Sequence, residues 1–197
     1  MDGLTLWEER KDRLMELVHG RPENTDGRLP REIRVYDFLD GIGVSYDRVD
    51  HPEMPAFTME VCREIDRTLG TVMCKNLFLT NRQQTKFYLL LMPDAKPFKT
   101  KELSAQISSA RLSFASGEQM LHFLDIEPGA ASLMGLINDA GGQVRLLVDE
   151  DLLKEEWLGC HPCVNTSSLR IRTEEAFGKF LSACGHEMTA VKLVGTE

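Results

Sequence analysis

Six consecutive apolar residues, Phe87-Tyr88-Leu89-Leu90-Leu91-Met92, set the tightest limit on what this chain can fold into. The run is short for a buried helix and offers no polar face to water, so it reads as a central strand covered on both sides. Such a strand needs sheet neighbours and a packed layer on each face. The flanking sequence supplies a partner: Thr71 to Leu79 is a second β-rich run, and Asn81-Arg82-Gln83-Gln84 joins the two as a hairpin.

The rest of the pattern alternates helices with strands. Leu4, Leu6, Trp7, Leu14, Leu17 and Val18 predict an amphipathic helix over 5–18, stopped by Gly20-Arg21-Pro22, and the polar stretch from Pro22 to Gly27 reads as a linker. Val35, Phe38, Leu39 and Ile42 form the next helical face. Val44 to Val49 alternates as a half-buried strand ended by His51-Pro52. Thr58 is placed to cap a helix whose apolar face is Val61, Ile65 and Leu69 and which Gly70 closes. Beyond Pro97 the pattern predicts short helices around 100–107 and 117–124, a helical turn through Leu133 and Ile137, and a strand from Gln143 to Val148. A strand pair (Trp157 to Pro162, Val164 to Ile171), a helix from Glu174 to Cys184 and a strand from Thr189 to Val194 complete it. Strands interleaved with helices, without a strict βαβ period, indicate a mixed-sheet α/β domain over residues 31–197, preceded by an N-terminal helix and linker over 1–30. With 197 residues, 42% of them hydrophobic, the chain can fill one core.

Charge and cysteine usage narrow the function classes. The net charge of −8 argues against wholesale coating of nucleic acid and against an anionic membrane surface as partner. Residues 82–111 depart from this balance: six basic side chains (Arg82, Lys86, Lys96, Lys99, Lys101, Arg111) against Asp94 and Glu102 make this stretch +4. It is either a solvated face or a patch that meets phosphates. No apolar run approaches the roughly 20 residues of a spanning helix, and the start lacks a basic segment before an apolar one, so a cytoplasmic protein without membrane partners is expected. Five sparse cysteines read as reduced thiols.

Three local features could carry chemistry. Cys160-His161-Pro162-Cys163 invites a zinc or redox reading, but no second ligand pair recurs, and the pair precedes a strand-like stretch rather than opening a helix. Lys75 lies in the apolar run Val72 to Leu79 and shares a face with Met73, Leu77 and Leu79, so it faces either a pocket or solvent from an edge strand. Gly129-Ala130-Ala131-Ser132 follows Pro128 and precedes a helical turn; its N–H groups can form an anion-binding nest, or Ser132 can serve as a helix cap. No phosphate-binding glycine loop, nucleophile elbow or paired-carboxylate pattern stands out.

In order along the chain, the pieces resemble the YbaK-like, prolyl-tRNA-synthetase-associated editing domains. The matching segments are His51-Pro52 with Phe57-Thr58, Cys74-Lys75-Asn76-Leu77-Phe78-Leu79, Lys86-Phe87-Tyr88-Leu89, Leu112-Ser113-Phe114-Ala115, Pro128 to Ser132, and His161-Pro162-Cys163-Val164-Asn165-Thr166, spanning roughly 31–195. Within the family the chain is most similar to free-standing alanyl-tRNA(Pro) deacylases. The resemblance implies a mixed-sheet fold with a pocket over the sheet, Lys75 as the essential lysine with Asn76 beside it, and Gly129, Ala130, Ala131 and Ser132 as the Gly-x-x-Pro loop around the scissile ester. Serine stands at 132 where the family pattern has proline, which restores a backbone donor there.

The implied reaction is hydrolysis of mischarged Ala-tRNA(Pro) without metal or cofactor, prolyl-tRNA synthetase being a candidate partner. His161 and Asn165, from the family's His-Pro-x-x-Asn motif, would line the pocket, making Cys160 and Cys163 bystanders. Selection must work by size, because one methylene gives only about 1–3 kcal/mol. Met54, Phe57 and Leu79 are the candidate walls, and Thr58 and Asn76 further substrate contacts. The same hydrolysis on Cys-tRNA(Pro), or a module that senses aminoacyl-tRNA or a small ligand without turnover, are the alternatives.

Overall fold

The structure is a computed structural model that describes residues 15–51 and 59–195. Among them, nine strands form two sheets. The first sheet has the order β1-β2-β8-β7, antiparallel throughout, from β1 (Leu17–His19), β2 (Tyr46–Asp50), β7 (Trp157–Cys160) and β8 (Ser167–Arg172). The second has the order β5-β3-β4-β6-β9, from β3 (Cys74–Asn81), β4 (Phe87–Pro93), β5 (Leu112–Phe114), β6 (Val144–Asp149) and β9 (Met188–Val191). It is mixed: β3 runs antiparallel to β4 and β5, while β4–β6 and β6–β9 are parallel.

The apolar run at 87–92 is the middle strand of the second sheet, and its alternation divides the core. Phe87, Leu89 and Leu91 pack into a large cluster with Phe78, Leu146, Leu158, Leu169 and Ile171, which fills the space between the two sheets. Tyr88, Leu90 and Met92 point the other way, into a cluster with Leu79, Leu103, Ile107 and Leu193. Leu89, Leu90 and Leu91 are all 0% exposed; burial on this scale stabilises by about 1.5–3 kcal/mol per side chain.

Helices close the layers. α1 (Pro30–Gly41) opens with proline at its first turn and buries Val35, Tyr36 and Leu39 against the large cluster. α2 (Met59–Leu69) sets Ile65 and Leu69 against Val49 of β2. α3 (Thr100–Gln106) covers the far face of the second sheet through Leu103. α4 (Gly117–Leu124) starts with a capping box in which Ser116 and Gln119 satisfy each other's backbone N–H groups. A 3₁₀ turn, Leu133–Asn138, follows it, and a helical run over 173–184 with a π turn at Ala176–Phe180 leads into β9.

A parallel bridge between Met73 and Gly159 ties the two sheets together. A Cβ at Gly159 would sit 2.8 Å from the Val72 carbonyl oxygen and 3.0 Å from Met73 Cα, so only glycine allows this approach.

The structure shifts several boundaries. Leu17 and Val18 do not continue a helix but form β1 against Arg48 and Val49, because pairing with the β2 edge satisfies backbone groups that a helix end at Gly20 would leave open. Residues 1–14, where the rest of that helix is expected, lie outside the described residues. Val164 to Thr166 belong to the turn between β7 and β8 rather than to a strand.

Candidate functional site

Sequence segments more than a hundred residues apart meet where β2 and β7 end. His51 follows β2; its N–H donates to the Thr166 carbonyl at 3.0 Å and its Nε2 is 2.9 Å from Ser168 Oγ. The His161 ring lies edge-on to His51, with centroids 6.2 Å apart. Ser132 Oγ donates to the His161 carbonyl. His51, the 129–132 turn and the 161–166 turn thus form one polar cluster.

The 129–132 turn is shaped by its backbone. Gly129 sits at φ +94°, a conformation L side chains rarely adopt, and its N-terminal neighbour Pro128 fixes the approach. The Ala130 N–H returns to the Glu127 carbonyl at 3.1 Å. Ser132 is fully buried and extended (φ −155°); its Oγ caps the 3₁₀ turn by accepting from Met134 N at 3.1 Å. Ser132 therefore serves as the cap and also ties this turn to His161. Among the described residues, the N–H groups of Gly129, Ala131 and Ser132 meet no acceptor.

His161 is held as a neutral ring. Burial pulls its pKa below the usual histidine value, only partly opposed by its bond to the Ser167 carbonyl. Nδ1 lies 2.9 Å from that carbonyl, which can only accept, so Nδ1 carries the proton and Nε2 is left as an acceptor. Asn165 stands half-buried in the same turn.

Behind the histidines lies a network that sequence reasoning missed. Ser167 Oγ is 3.4 Å from Tyr36 Oη, which donates to Glu32 at 2.8 Å. Arg28 bridges Glu32 and Asp50, and Arg48 also pairs with Asp50. Burial alone would raise the Asp50 carboxyl, but the bonds from Arg28 and Arg48 outweigh it and hold its pKa at about 2. Arg28, placed in the linker by sequence, is in fact a buried part of this cluster, with a side chain 6% exposed. One signal was visible beforehand: strand alternation puts Arg48 and Asp50 on the same face as Tyr46, which is buried.

Lys75 and Asn76 follow Cys74 at the start of β3, two and three residues past the bridge to Gly159, while His161 lies two residues past Gly159, just after β7. The two segments leave that bridge in the same direction. Alternation sends Asn76 toward the inter-sheet face with Cys74 and Phe78, where its Oδ1 is buried without a partner and its Nδ2 donates to the Cys74 carbonyl at 3.0 Å. Lys75 falls on the opposite face with Leu77 and Leu79, and its Nζ donates to the Lys96 carbonyl at 3.3 Å. Leu79 is 0% exposed between sheet and α3, a core position rather than a pocket wall. Met54, Phe57 and Thr58 lie outside the described residues.

The cysteine pair is closed off. Cys160 and Cys163 are 0% and 1% exposed, and burial pushes both thiols above the usual range. Among the described residues no group of three or more metal-ligating side chains converges, and no helix is long and apolar enough to cross a membrane.

Comparison with known proteins matches this arrangement to one family. The profile described as "Aminoacyl-tRNA editing domain" matches residues 53–177. The "Prolyl-tRNA editing protein ProX" of Acetoanaerobium sticklandii is 28% identical over 155 residues, covering 79% of this chain and 93% of that protein. The "Prolyl-tRNA synthetase associated domain-containing protein 1" of Mus musculus is 28% identical over 153 residues, covering 76% and 88%. A crystal structure of a proposed trans-editing enzyme for prolyl tRNA synthetase superposes with a TM-score of 0.62 at 17% identity, covering 83% of this chain and 98% of that one, which bears on the fold alone. With a family profile across most of its length, the chain belongs to the aminoacyl-tRNA editing domain family.

Proposed function

We propose that this protein is a trans-editing deacylase that hydrolyses the ester of mischarged tRNA(Pro), with alanine as the amino acid removed. The observation that carries the reading is the tie between the 129–132 turn and neutral His161 through Ser132; Lys75 enters the reading from the family resemblance, and its segment leaves the same inter-sheet bridge as His161. The names of the relatives, prolyl-tRNA editing protein and prolyl-tRNA synthetase associated domain, support tRNA(Pro) as the carrier.

An aminoacyl ester is already activated, so the protein need only place a water, stabilise the oxyanion and hold the terminal adenosine. Water oxygen adds to the ester carbonyl, and the N–H groups of 129–132 meet the resulting oxyanion. The bond to the ribose oxygen then breaks, releasing alanine and tRNA with a free terminal hydroxyl that has taken up the water's proton. The ribose hydroxyl beside the ester helps activate the water, and Lys75 anchors the terminal nucleotide or the substrate carbonyl. His161 Nε2 and Asn165 bind substrate hydroxyl or amino groups. No metal takes part. Met54 and Phe57 form the size filter that admits alanine and excludes proline.

The acceptor stem has a matching surface. An open groove of about 660 Å³ is lined by Arg82, Thr100, Arg111, Leu112, Ser113 and the exposed Phe114, a combination of cationic and stacking groups suited to nucleic acid. The test is the rate of hydrolysis of alanyl-, cysteinyl- and prolyl-tRNA(Pro) by wild type and Lys75→Ala, each with EDTA. Loss of alanine alone, strongly slowed in the variant and indifferent to EDTA, is expected. Preference for cysteine would move the size limit upward, and no turnover of any of the three would leave a sensing module.

A further inference from the structure

Among the described residues, no carboxylate pairs with Lys75. Its ammonium meets the main-chain carbonyl of Lys96, in the loop after β4. A carbonyl can fix a lysine only as well as its own loop is fixed, and this loop is pinned from several sides. Pro97 restricts Lys96 to an extended conformation. The Lys96 N–H closes a turn on the Pro93 carbonyl at 3.1 Å, and Pro93 pairs with Cys74, the residue before Lys75. The Lys96 ammonium reaches across to the end of β6, where it bonds both oxygens of Asp149 at 2.9 and 2.7 Å and Asp151 at 2.7 Å. Asp149 is 0% exposed, and its Oδ1 also accepts from Asp151 N, so it cannot turn away. The C-terminal segment closes the loop from outside: Glu102 receives the N–H groups of Val194 and Gly195, which brings Gly195 against Pro97.

A buried carboxylate at the end of an apolar strand, spent on a lysine whose own side chain is 15% exposed, is more than the fold requires of a surface loop. We propose that Lys96 and Asp149, with Asp151, are positioning residues for the editing reaction: their ion cluster fixes the Lys96 carbonyl, which holds the Lys75 ammonium where it meets the substrate. The proposal rests on the assignment of Lys75 to the reaction. It predicts an effect on the chemical step rather than on acceptor-stem binding, since neither Asp149 nor Lys96 lines the arginine groove.

The experiment compares kcat and KM for alanyl-tRNA(Pro) in wild type, Lys96→Met/Asp149→Asn, Lys96→Arg, Asp151→Asn, Lys75→Ala and the triple variant. The double variant removes both charges together, so no lone buried charge remains, and circular dichroism checks its fold. A displacement of about 1 Å can cost about 10²-fold in rate, so kcat is expected to fall roughly 10- to 100-fold with KM within about twofold. Lys96→Arg, which keeps the ion cluster, should restore most of the rate. Asp151→Asn, at a half-exposed site that does not threaten folding, should lose a smaller factor in kcat. Adding the double substitution to Lys75→Ala should cost nothing further, since the cluster acts only through Lys75. Wild-type kcat in both the double variant and Asp151→Asn, or an equal extra loss in the Lys75→Ala background, would overturn the proposal while leaving Lys75 in place. Full activity of Lys75→Ala would instead remove the underlying assignment, and the proposal with it.

Discussion

Ser132 occupies the position where the family pattern has proline, and the structure gives that exchange a calculable consequence. Its hydroxyl has two bonds: it caps Met134 N and donates to the His161 carbonyl, at a fully buried site. Ser132→Ala removes a cap, at about 1 kcal/mol, and leaves the partly buried His161 carbonyl without its donor, at about 1–3 kcal/mol. The sum is about 3 kcal/mol. For a chain of this size each kcal/mol moves Tm by about 2–4 °C, so a fall of about 6–12 °C is expected by thermal denaturation followed by circular dichroism. Deacylation measured well below Tm should fall as well, because the 129–132 turn loses its tie to His161. Ser132→Pro should be no milder. Proline fixes φ near −65°, whereas Ser132 stands at −155°, so restoring the family residue forces the turn to move in addition to losing both bonds. The N–H lost with proline is not part of this cost, since it meets no acceptor among the described residues. A Ser132→Pro variant as stable as wild type, or Ser132→Ala melting within about 2 °C of it, would refute the double role of the hydroxyl.

Three further outcomes follow from the same geometry. Asp50 has its folded-state pKa depressed to about 2, so its ion pairs contribute stability above the unfolded value near 4 and lose it as pH falls from about 4 toward 2, about 2 kcal/mol in all; urea unfolding across that window should show the loss, and Asp50→Asn should be less stable at neutral pH with a shallower acid dependence. Arg82→Gln and Arg111→Gln should each flatten the slope of log affinity against log salt for tRNA by roughly 0.7–0.9, read from binding titrations; an unchanged slope would remove the groove from the interface. Cys74, Cys160 and Cys163 should resist thiol reagents in the native state while the partly exposed Cys62 and Cys184 react, and all five should react in denaturant; rapid native labelling of Cys160 or Cys163 would reopen a redox reading of that pair.

How far the sequence carried this reading depends on the range of the interactions involved. The all-apolar stretch at 87–92 determined a doubly covered central strand, because burying both faces is the only way such a run avoids water. The hairpin, the helical faces and the glycine stops were legible for a similar reason, since period and backbone freedom are local properties. The ordered set of short segments also named the family, and Lys75 was conspicuous as a charge on an apolar face. What no local pattern could fix was which residues share a hydrogen bond across a hundred positions. Leu17 and Val18 have helical spacing, yet the free edge of β2 claims them for a strand. Leu79 could have been wall or core until α3 settled over it. Arg28 looks like linker and is buried because Asp50 and Glu32 happen to converge on it. The pairing of Ser132 with His161, the carbonyl that holds Lys75 and the buried Asp149 behind it exist only once two sheets meet at the Met73–Gly159 bridge. Periodicity decides which face of an element is apolar, but only packing decides what that face meets.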